Sequence, residues 1–234
     1  MKKIKVSAPG KLHLLGEHVV VYNKPAIIAA VDKRCFVEVT PKKNNKITVV
    51  SKDFKKEKTV DFNRIVDKFN KAQKNLEIYN TKNDISLLKS ITKDPLDYSL
   101  LIIGQYINYF KLKFINSFEL CINSEIPVGA GMGSSGALAV SMIGALSVFT
   151  GKLLDKKVIN DIAFLCEEKK HGRPSGGDNS TSCFGGLVGF KKDEGMQQFK
   201  FSLSKNITDN FYIINTGKPV ETTGEMVSMV RNKI

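Results

Sequence analysis

The chain has 234 residues, and its 42% hydrophobic and 25% charged composition is typical of a globular protein. No apolar run reaches the roughly 18 residues of a membrane span, and the first residues lack the apolar core of a secretion signal. We therefore predict a cytoplasmic protein without membrane attachment. The net charge of +13 comes from 32 lysines and only four arginines. Since nucleic-acid readers favour arginine, this charge indicates a solvated surface that attracts anionic substrates, and a nucleic-acid-binding module is the weakest alternative.

The first 60 residues are predicted to be rich in β-strands. Apolar or alternating runs separated by turns indicate strands at IKVSA, KLHLLGEHVVVY, AIIAAV, CFVEVTP, ITVVS and KTVDF. The lysine-rich segment 61–93 has weaker helical periodicity. We predict a helix in this segment, followed by a flexible loop.

Helices and strands alternate in the rest of the chain. Asp94 is a candidate N-cap and Pro95 the first residue of an apolar helix, with a strand following at SFELCINSEIP. SSGALAVSMIGALSVFTG predicts a close-packed helix, and DKKVINDIAFLCEEKKHG predicts an amphipathic one capped by Asp155 and ended by Gly172. Further strands are predicted at GGLVGF, MQQFKFSLS and NFYIINTG, before a short helix at GEMVSMVRNKI. The fold class predicted from this order is α+β.

A glycine-rich turn joins a strand to a helix in PVGAGMGSSGALAV, residues 127–140. A helix N-terminus carries partial positive charge and unpaired N–H donors, which suit a phosphate, and a serine there can ligate Mg²⁺. The spacing is neither a Walker A loop nor a dinucleotide fingerprint, and a glycine-rich helix start without ligand is the alternative. The candidate phosphate-binding residues are Gly129, Gly131, Met132, Gly133, Ser134 and Ser135.

Two further segments contain candidate functional residues. HGRPSGGDNSTSCFGG, residues 171–186, places five glycines around Asp178. So many glycines predict a loop that a ligand approaches closely. SAPGKLHLLGEHVVVYNKPAI places Lys11 directly after a Pro9-Gly10 turn, at the end of a predicted core strand.

The three segments together resemble the GHMP kinase superfamily, and most closely its mevalonate kinases. The resemblance rests on APGKLHLLGEHVVVYNKPAI, on PVGAGMGSSGA and on the E-x-x-x-HGRPSGGDN run from Glu167 to Asn179. It implies an N-terminal ATP-binding domain of the ribosomal protein S5 domain 2-like type over residues 1–205. Residues 206–234 would be only the start of a ferredoxin-like C-terminal domain, because the family's distal glycine-rich motif is absent.

The resemblance also implies an activity, namely ATP-dependent phosphorylation of mevalonate to 5-phosphomevalonate in isoprenoid biosynthesis. The glycine–serine loop would hold the ATP phosphates, and Ser135 and Glu167 would hold Mg²⁺. Asp178 would be the catalytic base, with Lys11 beside it. The positions that match the family's mevalonate site are Glu17 and His18.

Two departures from the family pattern leave the catalytic groups in place. Gly177 stands where the family has an aliphatic residue and is predicted to loosen the turn before Asp178, and Gly136 stands where alanine is usual. A phosphomevalonate kinase and a non-catalytic nucleotide- or metabolite-binding remnant stay open as alternatives. The absent C-terminal portion would be dispensable, or would be supplied by a homodimer or by a complementing fragment.

Overall fold

The computed structural model describes residues 3–200 and, beyond them, residues 204–205, 209–215, 217, 226 and 229–230. Its strands are β1 (Ile4–Leu15), β2 (Ala26–Pro41), β3 (Ile47–Ser51), β4 (Lys56–Val60), β5 (Phe118–Ser124), β6 (Leu187–Lys191) and β7 (Gly195–Gln198). Its helices are α1 (Phe62–Lys82), α2 (Ser86–Lys89), α3 (Asp97–Tyr109), α4 (Ser134–Phe149), α5 (Lys156–His171) and α6 (Gly177–Phe184). None of the helices in these residues is both long and apolar enough to cross a membrane.

The seven strands form one mixed sheet in which β2 is central. Strand β1 pairs antiparallel with β2 along one side, and β5 and β6 pair with successive parts of β2 along the other. The path through the sheet is β4-β3-β5-β2-β6-β7, and β3 and β5 are parallel. Together with the helices, this sheet confirms the predicted mixture of α and β structure.

The predicted strands of the first 40 residues are longer in the structure. IKVSA and KLHLL form one strand, with register shifts between Pro9 and Gly10 and between His13 and Leu15. AIIAAV and CFVEVTP likewise form the single strand β2. The prediction that a strand continues through GEHVVVY is wrong, because Gly16 has a φ of 82° and turns the chain into a 3-10 helix at Val20–Tyr22.

Helix α4 crosses the sheet and brings its N-terminus to the site described below. It is buried on all sides, and its small residues allow close approach: a Cβ on Gly144 would lie 3.1 Å from Cγ1 of Val6 on β1. Helices α3, α5 and α6 pack around α4, and α6 also contacts β1. The start of α4, strand β1 and the start of α6 therefore meet in one place.

The predicted start of α3 is wrong by a few residues. The helix begins at Asp97 rather than at Pro95. Asp94 does not cap it, because the Asp94 Oδ1 atom accepts a hydrogen bond from the Leu96 amide at 2.9 Å. This local turn, typical of aspartate before a proline, delays the helix.

Asp97 connects three elements, and we expect its removal to destabilise the fold. Its carboxylate, 11% exposed, lies 2.8 Å from Lys58 Nζ on β4 and 2.9 Å from Lys68 Nζ on α1. Breaking a fully buried pair costs about 3–5 kcal/mol. Because both lysines keep contact with water, we expect Asp97→Ala to lower the free energy of unfolding by about 2 kcal/mol.

Urea unfolding checks this expectation, with Asp161→Ala as the control because Asp161 makes an exposed pair with Lys157. Burial alone would raise the pKa of Asp97, but its two lysine partners hold it below 3.8. The stabilisation is therefore present above pH 3.8 and is lost as the pH falls further. Equal stability of Asp97→Ala and the control at neutral pH would contradict it.

Most of residues 201–234 lie outside the described part of the chain. The strand predicted at NFYIINTG is wrong where it can be examined, since residues 211–215 have no regular structure and pair with no described strand. Their side chains are largely exposed, for example 80% at Tyr212. Of the predicted final helix, residues 226, 229 and 230 are helical and the others are not described.

Candidate active site

The glycine–serine segment forms a tight turn at the start of α4. Gly129, Gly131 and Gly133 all have positive φ values, of 80°, 72° and 69°. Gly133 also has no room for a side chain, because a Cβ there would lie 2.6 Å from Cγ of Lys11. Glycine at this position therefore allows the turn to lie directly on Lys11. Ser134 and Ser135 are the first two residues of α4.

Lys11 is buried beneath this turn and is fixed at both ends. Its amide donates to the Met132 carbonyl at 3.0 Å, and its side chain is only 4% exposed. The Nζ atom lies 3.1 Å from Oδ1 of Asp178. The structure thus brings together Lys11, the glycine–serine turn and Asp178, which are far apart in the sequence.

Asp178 lies at the start of a helix, where the sequence analysis predicts a loop. Helix α6 occupies the second half of the glycine-rich stretch, and Gly176, with a φ of 94°, precedes it. That Gly177 loosens this turn stays a prediction. A Cβ there would lie 2.6 Å from Cδ1 of Ile28 on β2, so the start of α6 lies close to that side chain.

Gly136 has a similar role between the two helices. A Cβ at this position would lie 3.2 Å from the Asn179 amide nitrogen. Glycine therefore lets the first turn of α4 lie against the first turn of α6. The departures at Gly136 and Gly177 both bring α6 closer to its neighbours.

A second donor reaches the Asp178 carboxylate. Nε2 of His13, on β1, lies 3.2 Å from the same Oδ1 atom that Lys11 contacts. Burial alone would raise the pKa of the Asp178 carboxyl, but the Lys11 charge and the His13 hydrogen bond lower it to about 2. Asp178 is therefore ionised at neutral pH.

Glu167 and Ser135 form an oxygen-rich group at the other side of the turn. Ser135 Oγ donates to Glu167 Oε2 at 2.9 Å, and the Tyr98 hydroxyl donates to Glu167 Oε1. Nε2 of His171 lies 3.4 Å from Ser135 Oγ and 3.6 Å from Glu167 Oε2. Burial lowers the pKa of His171, which favours its neutral form.

Glu17 and His18 follow the end of β1. Glu17 is exposed, and a Cβ on Gly131 would lie 3.7 Å from its Oε1 atom, so it borders the glycine-rich turn. Nδ1 of His18 is buried, and no hydrogen-bond partner for it occurs among the described residues. Among the described residues, neither Glu17 nor His18 forms a hydrogen bond or ion pair with Asp178.

A cavity of about 250 Å³ opens beside Ser134 and Ser135. Strands β3 and β5, the segment before α3 and the start of α4 contribute to its walls. It combines apolar and polar side chains, among them Ser51, Phe54, Thr92, Tyr98, Leu138 and Lys170.

Comparisons with known proteins agree with this geometry. The family described as GHMP kinases N terminal domain matches residues 101–186. The chain is 34% identical over 192 residues to a mevalonate kinase of Pyrococcus furiosus, covering 81% of this chain and 52% of that protein. It is 30% identical over 254 residues to the Mus musculus mevalonate kinase, covering 98% and 62%. The chain belongs to the GHMP kinase superfamily.

The GHMP kinase assignment extends to the fold. The crystal structure of the Methanococcus jannaschii mevalonate kinase matches with a TM-score of 0.70 at 26% identity, over 86% of this chain and 56% of that one. A Lactococcus lactis galactokinase complexed with galactose matches with a TM-score of 0.65 at 17% identity, over 84% and 46%, which shows the shared fold alone. The chain spans about half to three fifths of the length of the mevalonate kinases it matches.

The structure also adds residues that the sequence analysis of this GHMP kinase chain missed. His13 had a signal available, because it lies two positions after Lys11 and alternate residues of a strand share a face. Tyr98 had none, since only the packing of α3 on α5 brings it to Glu167. The cavity beside Ser135 combines several distant segments and leaves no local pattern in the sequence.

Proposed function

We propose that the protein containing this chain transfers the γ-phosphoryl group of ATP to the hydroxyl of mevalonate, giving 5-phosphomevalonate. The observation that carries the proposal is the Lys11–Asp178 pair, 3.1 Å between Nζ and Oδ1, directly beneath the start of α4. The relatives named as mevalonate kinases support the substrate. The fold alone does not, because a galactokinase shares it.

The arrangement suits phosphoryl transfer because that reaction needs positioning and charge stabilisation more than covalent chemistry. The free amides in the first turn of α4 suit the ATP phosphates. Lys11 can stabilise negative charge that develops on the transferred group. Asp178 can orient the attacking hydroxyl and accept its proton.

The residues around Ser135 fit a magnesium ion. Ser135 Oγ and Glu167 Oε2 lie 2.9 Å apart, while the Tyr98 hydroxyl occupies the other carboxylate oxygen. Magnesium prefers oxygen ligands and is commonly held by one or two protein groups, water and substrate phosphates. When bound, it would neutralise charge on the β- and γ-phosphates. Ser135 and Glu167 would hold it.

The cavity beside Ser134 and Ser135 is our candidate for the nucleoside of ATP. Phe54 and Leu138 offer apolar surface for a base, and Ser51 and Thr92 offer hydrogen-bonding groups. Lys170 also lines the cavity, and its Nζ lies 4.3 Å above the Tyr98 ring. Lys170 therefore reaches both the cavity and Tyr98, the residue that donates to Glu167.

The candidate acceptor side of the site lies just after β1. Glu17 borders the glycine-rich turn, and with His18 it is our candidate for contacts to mevalonate. The division into an ATP-binding domain, 1–205, and the start of a second domain, 206–234, is part of the same proposal. Phosphomevalonate is the alternative substrate, and nucleotide binding without transfer is the alternative to catalysis.

A coupled assay of ADP release from the protein containing this chain tests the proposal, with Mg-ATP and with mevalonate, phosphomevalonate or no acceptor. Turnover that depends on mevalonate supports the proposal. Turnover only with phosphomevalonate would show that phosphomevalonate is the substrate instead. A protein containing this chain that binds ATP without releasing ADP would support the non-catalytic alternative. Repeating the assay over a range of protein concentrations shows whether activity requires a homodimer.

A further inference from the structure

His13 occupies a position from which it can control the geometry of Asp178. Lys11 and His13 are two residues apart in a regularly paired part of β1, opposite Ala30 and Ile28 of β2. Alternate residues of a strand point to the same face. Both side chains therefore reach Asp178, and both contact the same carboxylate oxygen, Oδ1, at 3.1 and 3.2 Å.

Two donors on Oδ1 leave the other oxygen of Asp178 available. No hydrogen bond to Oδ2 occurs among the residues that the structure describes. The Asp178 side chain is 35% exposed, whereas those of Lys11 and His13 are each 4% exposed. The carboxylate is thus held from its buried side, with its free oxygen on the open side.

The His13 ring has little other reason to be polar. Its Nδ1 atom is buried and has no hydrogen-bond partner in the described part of the chain. An unpartnered buried nitrogen costs free energy that an apolar side chain in the run LHLL would avoid. Among the described residues, the ring forms its hydrogen bond with Asp178, and this bond offsets the cost.

Two other roles for His13 fit the geometry poorly. With its Nε2 N–H directed to Asp178 Oδ1 and its Nδ1 atom buried, the neutral ring has no donor left for a substrate, whereas the Lys11 ammonium has three, so we do not assign His13 as a catalytic residue. It is also a poor proton relay, because its Nδ1 atom is buried and has no hydrogen-bond partner among the described residues. Holding the carboxylate is the role that remains.

We propose that His13 is a positioning residue that, with Lys11, fixes the Asp178 carboxylate so that Oδ2 faces the acceptor hydroxyl. The inference rests on the proposed kinase function, since it assigns Asp178 to the hydroxyl. It adds a residue from β1 to the reaction. The sequence predicts this residue only as part of a strand.

Variants at His13 test the proposal when kcat and KM are measured separately. We expect His13→Leu to lower kcat for mevalonate phosphorylation about 10-fold, the lower end of the 10–100-fold effect typical of groups that orient a functional side chain. The KM for ATP should stay within about twofold. His13→Gln keeps an N–H donor and should recover most of the lost kcat. Leu14→Gln, at the next position of β1 where Leu14 is 38% exposed, is the control.

A second measurement does not depend on turnover. The chain has three histidines, so ¹⁵N NMR signals of their rings can be assigned by single substitutions. We expect a protonated Nε2 on His13 whose signal shifts in Asp178→Asn, with little change at His18. An unchanged His13 signal overturns the proposal, as does equal kcat in wild type, His13→Leu and His13→Gln. If the wild-type protein containing this chain lacks mevalonate-dependent turnover, the proposed function fails, and the NMR comparison still decides whether His13 holds the carboxylate.

Discussion

Asp178→Asn is expected to lower kcat for mevalonate phosphorylation by about 10²–10⁴-fold, with little change in the KM for ATP. The substitution keeps the size of the side chain but removes the charge that Lys11 and His13 contact at Oδ1. The amide cannot accept the hydroxyl proton, and its NH₂ group can face two donors unfavourably. Initial rates at saturating Mg-ATP and mevalonate measure the effect. A variant within threefold of wild type would remove Asp178 from the mechanism.

The charge environment of Asp178 refines this expectation. With a pKa of about 2, the carboxylate is a weak proton acceptor in the protein without bound ligand. A γ-phosphate that shares the charge of Lys11 would weaken the hold of Lys11 on Asp178 and raise that pKa. We therefore expect Asp178 to act mainly by orienting the hydroxyl, and to accept the proton only as the phosphoryl group transfers.

Asp178→Asn is also expected to lower the stability of the fold, whereas a substitution of an exposed aspartate is not. The variant leaves Lys11, 3% exposed, without its anionic partner, so the free energy of unfolding should fall. The folded pKa of about 2 lies below the ordinary 3.8. The stabilisation by Asp178 is therefore present above pH 3.8 and is lost as the pH falls towards 2. Asp161→Asn, an exposed aspartate on α5, should change neither stability nor kcat.

The sequence predicted well those parts of the site that depend on local chemistry. Glycines with positive φ and serines at a helix start leave a clear pattern, as at Gly133 and Ser134. The amphipathic helix capped by Asp155 is confirmed for the same reason, because its cap and its apolar face are encoded within a few residues. The catalytic and metal-binding roles of the site residues stay predictions.

The sequence failed where packing decides the structure. The sequence predicts a loop for the glycine-rich stretch around Asp178, but its second half forms α6, whose first residue packs close to Ile28. The contacts of His13 and Tyr98 join elements more than sixty residues apart, 165 and 69 positions along the chain. No periodicity within a single element indicates such pairs. Only the packing of β1 against α6 and of α3 against α5 in the folded chain creates these contacts.

The second large effect is expected at Glu167, the proposed magnesium ligand on α5. Its side chain is only 4% exposed, and both carboxylate oxygens accept hydrogen bonds, Oε1 from Tyr98 and Oε2 from Ser135. Glu167→Gln keeps the size of the side chain and removes its charge. We expect the Mg²⁺ concentration for half-maximal rate to rise at least about 10-fold, because magnesium binding depends on anionic oxygen.

Direct metal binding distinguishes this role from a structural one. The affinity of the nucleotide-bound protein for Mn²⁺, measured by electron paramagnetic resonance, should fall in Glu167→Gln and in Ser135→Ala. Glu168→Gln is the matched control, because Glu168 is the next residue of α5 and burial raises its pKa without contact to Ser135. Tyr98→Phe should weaken Mn²⁺ binding about 10-fold, since it removes the hydrogen bond that orients Glu167. If Glu167→Gln and Ser135→Ala bind Mn²⁺ as the control does, the oxygens around Ser135 form a structural hydrogen-bond network, and the metal ligands lie elsewhere.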